Sequence, residues 1–259
     1  MTTFDDLSAI DVLDEEVATL LLAARSSDPA AGVPLCPGWT VLDLAVHVAG
    51  VYRWVEEVVS NKRAEAPAGE ERRALFADPD PGDAGGVLKR LRDAAAGLAD
   101  ALRSAPGDLR CWTTWSPPST PRAFWLRRMV HETVIHRVDA ENARDGRPAG
   151  GAELATELAA DGVDELVLGF ARRYAPTLRA PQARVLSVHA TDADLRWWAE
   201  LGPDAPVFGG GEPPRPADAE VRGTAGELLL LLWNRRDPAG LEVAGAAEVL
   251  DLWRAGAHL

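Results

Sequence analysis

A stretch of the chain from Arg127 to Ala143, RRMVHETVIHRVDAENA, places two histidines and a glutamate within six residues. The pattern is typical of a helix, and helical residues four apart share a face, separated by about 40° around the axis. Glu132 and His136 have that spacing. His131 and His136 are separated by about 140° and cannot easily bind one ion. The pair that can act together is therefore Glu132 and His136.

A third candidate, His47, lies in the earlier segment PGWTVLDLAVHVAG. Thr40 is placed to cap a helix, and Asp43, three residues on, completes a capping box with Asp in the usual Glu position. His47 then falls on the apolar stripe of that helix, with Leu44, Val51, Trp54 or Val55, and Val58. Glu132 and His136 fall on the inward stripe of their own helix, with Trp125, Met129, and Asp139 or Ala140.

Polar groups buried on such stripes cost several kcal/mol unless they are paired or bound to a cation. Two histidines and one carboxylate with an open position form the ligand set of catalytic zinc and of several iron or nickel sites. Helical bundle cores are a recurrent place for such sites. The alternative is that the three side chains hydrogen-bond one another or the backbone in a hydrated core. Spacing alone leaves both interpretations open.

Apolar periodicity predicts the helices that would carry these residues. We expect them over Ile10–Arg25, from Thr40 to about Val59, over Val87–Arg103, from Pro121 to about Arg144, and over Ala152–Arg173. The polar segment Asn61–Gly86 is predicted to be an irregular crossing, either an active-site flap or a solvated loop. The first domain, residues 1 to about 175, is therefore predicted to be a four-helix bundle.

The sequence changes character after about residue 175. ARVLSVHATD alternates like a strand, and DLRWWAEL is its predicted hairpin partner. AEVRG and LEVAG are predicted strands, TAGELLLLLWNRR and AAEVLDLWRAG are predicted helices, and PDAPVFGGGEPPRPAD is a predicted turn region. Residues 176–259 are thus predicted to form a smaller α/β domain, and the whole chain has the α+β class.

Composition excludes several classes of function. The 259 residues carry a net charge of −13 and no basic stripe, which argues against a nucleic-acid partner. Two cysteines make no disulfide framework. The acidic N-terminal segment has no signal-peptide pattern, and the longest apolar run, LLLLLW, is too short to span a bilayer. We expect a cytoplasmic monomer or homodimer with no membrane partner.

The two motifs together resemble a known family. PGWTVLDLAVHVAG followed by HETVIHRVDA is similar to the mycothiol-dependent maleylpyruvate isomerase family of actinobacteria, whose N-terminal domain is a DinB-like four-helix bundle. The later segments LSVHATD, VRGTAGELLLLLWNR and LEVAG resemble the C-terminal α/β domain of that family. The resemblance covers nearly the whole chain.

The resemblance implies a divalent metal bound by His47, Glu132 and His136, most often Zn²⁺, with Ni²⁺ or Fe²⁺ as alternatives. It also implies mycothiol as a thiol co-substrate, whose thiolate adds to a small electrophile in an isomerase or is transferred to it in an S-transferase. A metal-bound thiol loses its proton readily, which makes it a nucleophile. The alternative function is that of a non-catalytic metal-containing binding or regulatory protein.

Further candidate residues lie outside the predicted ligand set, and two of them have alternative interpretations. Arg222 could reach a substrate carboxylate as a catalytic residue, or it could be a solvated or salt-bridged arginine. Asp139 could orient a ligand imidazole or pair with a neighbouring arginine. His131 is not part of the family pattern and is expected beside the site or on the surface. Cys36 and Cys111 are expected to be inert thiols.

Three further expectations concern side chains away from the predicted ligands. Arg127, Arg128 and Arg137 are expected on the solvated side of their helix. His189 is expected to be structural or exposed, and His258 is expected to face solvent. Trp39, at the start of the second helix, is a ring that could wall a pocket.

Overall fold

The structure, a computed structural model, describes residues 6–117, 119–148, 151 and 153–257, and the side chains from residue 9 onward. The expectation for His258 lies outside these residues. The chain divides into two compact units, and the first of them ends at Pro148. Within the described part of the chain, no helix is both long enough and apolar enough to cross a membrane.

Helices make up the first unit. Its described elements are α1 (Asp6–Arg25), α2 (Val41–Ser60), α3 (Gly69–Phe76), α4 (Ala84–Ser104) and α5 (Pro121–Asp145). The four long helices form a bundle in which α1 and α2 each pack against both α4 and α5. The predicted four-helix bundle is therefore confirmed.

The helices that carry the candidate ligands begin where the sequence predicts. Asp43 donates its backbone N–H to Thr40 Oγ1 (3.2 Å), and Thr40 donates its own N–H to Asp43 Oδ2 (2.9 Å), which completes the capping box of α2. At the start of α5, Pro121 follows Thr120, whose hydroxyl accepts the N–H of Ala123. Proline is favoured in this first turn because its missing N–H has no intrahelical partner to lose.

The buried face of α2 differs from the predicted stripe by about one residue. Tyr52, rather than Val51, is fully buried, and its hydroxyl lies 2.6 Å from Thr133 Oγ1 of α5. The phenol is tolerated in the core because this hydrogen bond satisfies its polar end. The shift places His47 at the edge of the buried face, with 31% of its side chain exposed.

The predicted irregular crossing at Asn61–Gly86 contains the short helix α3. None of its residues is fully buried, so it has no apolar periodicity by which the sequence could reveal it. Two side chains of α2 donate hydrogen bonds to backbone carbonyls of this segment. Arg53 Nε donates to the carbonyl of Leu75 (2.8 Å), and Trp54 Nε1 donates to the carbonyl of Pro67 (3.2 Å). The crossing is therefore an ordered part of the bundle surface.

The second unit is built around a five-stranded sheet. Its elements are α6 (Thr156–Leu168), a 3₁₀ turn (Phe170–Tyr174), β1 (Arg184–Ala190), β2 (Leu195–Leu201), β3 (Val207–Gly210), β4 (Ala219–Gly223), α7 (Ala225–Leu232), β5 (Glu242–Gly245) and α8 (Ala247–Gly256). The strand order is β3-β2-β1-β4-β5, with β1 and β4 parallel and the other pairs antiparallel. The predicted α+β class, hairpin and helices are confirmed.

Two features of this unit differ from the predictions. The predicted turn region contains the edge strand β3, where Gly209 lies against the ring of Trp198, which a Cβ there would meet at 2.3 Å. Helix α6, predicted as part of the bundle, packs instead on α7, β2 and β3, and Trp197 Nε1 donates to Asp164 of α6 (3.2 Å). The first compact unit thus ends at Pro148, whereas the predicted domain boundary was near residue 175, because an apolar stripe indicates burial without identifying its partner.

Candidate metal centre

His47, Glu132 and His136 lie together in the structure, although 85 residues separate the first two. Nε2 of His47 lies 3.6 Å from Oε1 of Glu132, and Nε2 of His136 lies 3.3 Å from the same oxygen. All three potential ligand atoms lie within 4.8 Å of one another. Two imidazole nitrogens from two helices therefore converge on one carboxylate oxygen.

Two of the three distances between potential ligand atoms suit a small divalent cation. Zinc binds nitrogen and carboxylate oxygen at about 2.0–2.2 Å, so neighbouring ligand atoms of a tetrahedral site are about 3.3–3.6 Å apart. The two nitrogen–oxygen distances here, 3.3 and 3.6 Å, are of that size. The donor set, two imidazoles and one carboxylate, is one that catalytic zinc sites use with an open fourth position. The residues present thus suit such an ion.

Aromatic rings flank the two histidines. The ring of Trp39 lies 4.8 Å from that of His47 and is nearly parallel to that of His136 at 6.4 Å, centroid to centroid. Phe76, the last residue of α3, lies 6.1 Å from the ring of His47. These two rings therefore lie next to the imidazole of His47. The expected role of Trp39 as a wall matches this position.

The two α5 candidates each contact a further charged side chain from their own helix. Asp139 is fully buried, and its Oδ2 lies 3.0 Å from Nδ1 of His136. Arg128, only 3% exposed, donates through Nη2 to Oε2 of Glu132 (2.8 Å). The contact with Asp139 leaves Nε2 of His136 directed at Glu132. Of the two readings of Asp139, the structure favours the one in which it orients an imidazole.

Comparisons with known proteins identify the family of the chain. A family model described as the mycothiol maleylpyruvate isomerase N-terminal domain matches residues 10–141. A second, described as the MDMPI C-terminal domain, matches residues 157–252. The chain belongs to the mycothiol maleylpyruvate isomerase family. The two matched ranges lie on either side of the break between the compact units.

Solved structures show the same fold. The chain is similar to the crystal structure of the mycothiol-dependent maleylpyruvate isomerase, with a TM-score of 0.68 and 15% identity over 94% of this chain and 96% of that one. A histidine-to-alanine mutant of that isomerase matches with a TM-score of 0.69 and the same identity and coverage. No curated protein matches the chain.

When no cation is bound, the surroundings of His136 and Glu132 favour a protonated imidazole beside an ionised carboxylate. Burial lowers the pKa of His136, but its hydrogen bonds with Asp139 and Glu132 outweigh burial and raise that pKa to about 9. Burial raises the pKa of Glu132, but hydrogen bonds with His136 and His47 and the charge of Arg128 hold it well below its ordinary value. A cation would therefore replace a proton on His136.

The remaining candidates lie in varied surroundings. His131 is buried on α5. Of its two expected positions, beside the site or on the surface, the surface position is wrong. Arg222 of β4 has a side chain 37% exposed, with carboxylate oxygens of Glu220 and Glu242 at 3.8 and 3.7 Å. This position matches the salt-bridged reading, and its catalytic role stays a prediction. His189 is buried in β1, with Nε2 3.7 Å from Asp194.

The two cysteines are both half-buried and form no disulfide. Burial raises the pKa of the Cys111 thiol, and its hydrogen bond with Trp125 opposes that rise only in part. A raised pKa leaves little thiolate at neutral pH, which agrees with the expectation that this thiol is inert.

The burial of two arginines of α5 and the position of Phe76 beside His47 were missed by the sequence analysis. Arg128 and Arg137 were expected in solvent, but both are buried and paired with carboxylates, Arg128 with Glu132, and Arg137 with Glu16 and Glu141. The four-residue spacing of Arg128 and Glu132 was the available signal. Phe76 gave no comparable signal, because its helix has no apolar stripe.

Proposed function

We propose that this chain is a metal-dependent and mycothiol-dependent isomerase that acts on a small electrophilic substrate, with His47, Glu132 and His136 as metal ligands. The observation that carries the proposal is the clustering of three potential ligand atoms within 4.8 Å of one another in a chain whose family is the mycothiol maleylpyruvate isomerase family. Zinc is the metal we propose, since the donor set and spacing suit it. The alternative, a binding or regulatory protein, would keep the metal without turnover.

A divalent cation held by these side chains would lower the pKa of a thiol and so supply a thiolate at neutral pH. The side chains of the protein have separate tasks. Asp139 accepts the Nδ1 proton of His136 and so keeps Nε2 free to act as a ligand. Trp39 and Phe76, whose rings lie next to His47, are proposed to restrict water there. The partial exposure of His47 leaves an approach from solvent for small molecules.

The proposed reaction leaves the thiol unchanged overall. The thiolate sulfur adds to one carbon of a double bond that is conjugated to a carbonyl, so that a C–S bond forms and the π electron pair moves to the carbonyl oxygen as an enolate. Rotation about the resulting single bond follows. The C–S bond then breaks, the π bond re-forms in the other configuration, and the thiolate is released. No oxidant or reductant is needed, and maleylpyruvate is the first substrate to test.

The proposal extends to other parts of the protein. Arg222 is proposed to bind a carboxylate of the substrate, for which its partly exposed guanidinium has suitable chemistry. A cytoplasmic location is proposed because the co-substrate is a reduced thiol and the two cysteines form no disulfide. The oligomeric state proposed is a monomer or a homodimer.

Metal content tests the site. Purified protein should contain about one equivalent of divalent metal, and His136→Ala should lose it, because two ligands bind a metal far less tightly than three. His131→Gln is the matched control, since His131 is a buried histidine of the same helix outside the ligand group, and it should keep the metal. Metal loss in the control, or retention in His136→Ala, contradicts the ligand assignment.

Turnover tests the activity. Maleylpyruvate and mycothiol should give isomerised product with no net consumption of thiol, and glutathione should not replace mycothiol. An S-transferase would consume one thiol per product, so a thiol assay separates the two enzymes. Full metal content with no turnover on a broad panel of electrophiles would favour the non-catalytic alternative.

A further inference from the structure

The two oxygens of the Glu132 carboxylate lie in different surroundings. Oε1 lies 3.6 Å from Nε2 of His47 and 3.3 Å from Nε2 of His136. Oε2 accepts a hydrogen bond of 2.8 Å from Nη2 of Arg128, a side chain that is 4% exposed. One oxygen therefore faces the candidate metal position, and the other is held by a buried guanidinium.

This difference matters because a carboxylate can bind a metal through one oxygen or through both. Binding through both would add a fifth ligand atom to the two imidazoles, the first oxygen and an exogenous ligand. A charge-assisted hydrogen bond to a buried arginine is strong, and Oε2 would have to weaken or break it in order to turn toward the metal. We propose that Arg128 is a positioning residue that restricts Glu132 to one ligand oxygen and so keeps the metal four-coordinate, with the fourth position held by an exogenous ligand.

Helix geometry explains why Arg128 can do this. Arg128, Glu132 and His136 follow one another at four-residue intervals on α5, so each side chain lies one turn from the next. The same helix therefore carries two ligands and the group that orients one of them. Lysine at position 128 would keep the charge but not the planar fork of donors, and glutamine would remove the charge.

The inference rests on the proposed metal site, and it is tested with cobalt in place of the native metal. Four-coordinate Co²⁺ has much stronger visible absorption than five- or six-coordinate Co²⁺. Wild-type protein should show the intense bands, and Arg128→Gln should show bands several-fold weaker at the same cobalt content. Arg128→Lys should recover part of the intensity, which a role in folding alone would not produce.

Arg137→Gln is the matched control. Arg137 is a buried arginine of the same helix whose partners, Glu16 and Glu141, are outside the ligand group. This variant should keep the wild-type cobalt bands even if it is less stable. Equal band intensity in Arg128→Gln and wild type would overturn the inference.

A second measurement needs no variant, in case Arg128→Gln does not fold. X-ray absorption of the zinc-loaded wild type should show four nitrogen or oxygen neighbours at about 2.0–2.1 Å. Five or more neighbours, including the second carboxylate oxygen, would overturn the inference. If wild-type protein binds neither metal, the ligand assignment fails along with the inference. If metal binds but mycothiol supports no turnover, only the proposed activity fails.

Discussion

Asp139 and Arg128 each contact one of the two α5 side chains that face the candidate metal position. Asp139 fixes which nitrogen of His136 is available, and Arg128 holds one oxygen of Glu132. His47, on α2, is more exposed than the two α5 residues. The two α5 side chains are thus positioned by other side chains of their own helix without a metal, which would reduce the cost of ordering them at the proposed metal site.

Replacing Asp139 with Asn should weaken metal binding by about 10- to 100-fold, the usual effect of losing a group that orients a ligand. The physical reason is the loss of the carboxylate charge that holds the Nδ1 proton of His136. Competition with a chromophoric chelator measures the dissociation constant. Asp145→Asn, an exposed carboxylate at the end of the same helix, is the control and should bind as wild type does. Equal constants for Asp139→Asn and wild type would contradict this role.

Between elements, the position of Phe76 depends on the contact of α3 with α2. Gly50 makes that contact possible, because a Cβ at residue 50 would lie 2.6 Å from Cδ1 and 3.1 Å from Cα of Phe76. Arg53, three residues further along α2, donates to the carbonyl of Leu75. A glycine inside a helix normally costs about 1 kcal/mol relative to alanine, so its presence here fits a packing requirement.

Gly50→Ala should displace α3 while α2 itself remains helical. The alanine favours the helix by about 1 kcal/mol, but its Cβ collides with the ring of Phe76 and lies only 3.1 Å from the Cα of that residue, so the strain is relieved most easily by movement of the exposed helix α3. Hydrogen exchange should show faster exchange over residues 69–77 and unchanged protection in α5. Unchanged exchange in α3 would show that the contact adjusts without displacement.

Just after the end of α3, Asp78 forms an ion pair with Arg90 of α4, and the contribution of this pair to the stability of the fold depends on pH. Arg90 donates through Nε and Nη2 to the two carboxylate oxygens of Asp78, both at 2.7 Å. Burial raises the pKa of Asp78, but Arg90 and the backbone N–H of Asp80 outweigh burial and lower it below its ordinary value. The stabilisation is therefore fully present above the unfolded-state pKa, about 3.9, and is lost as pH falls through the lower folded-state value.

Asp78→Asn should therefore be less stable than wild type at pH 7, and the difference should shrink toward pH 3. Urea unfolding at both pH values measures the two free energies of unfolding. Asp100→Asn, whose carboxylate is 80% exposed, should show no comparable difference at either pH. A difference between Asp78→Asn and wild type that does not change with pH would mean that the ion pair is not its source.

For the molecule as a whole, sequence patterns within single helices could be used to predict structure, whereas the packing between distant helices could not be read from such patterns. The capping box at Thr40 and the four-residue spacing of Glu132 and His136 are local, so the helices and the face of the ligand pair could be predicted. The meeting of His47 with that pair depends on how α2 and α5 pack, and the sequence left it open until the family resemblance was considered. Helix α6 was placed in the bundle because its apolar stripe does not identify its partner.

Metal binding should stabilise the protein as a whole. A ligand that binds only the folded state at 100 times its dissociation constant adds about 2.7 kcal/mol to the free energy of unfolding. For a chain of this size, that corresponds to a rise of about 5–10 °C in the melting temperature. Calorimetry of wild-type protein with zinc and with chelator should show this difference, and His136→Ala should show almost none. Comparing each variant with and without zinc separates the metal effect from any loss of packing at residue 136. An equal rise in both proteins would place the stabilising zinc outside the group formed by His47, Glu132 and His136.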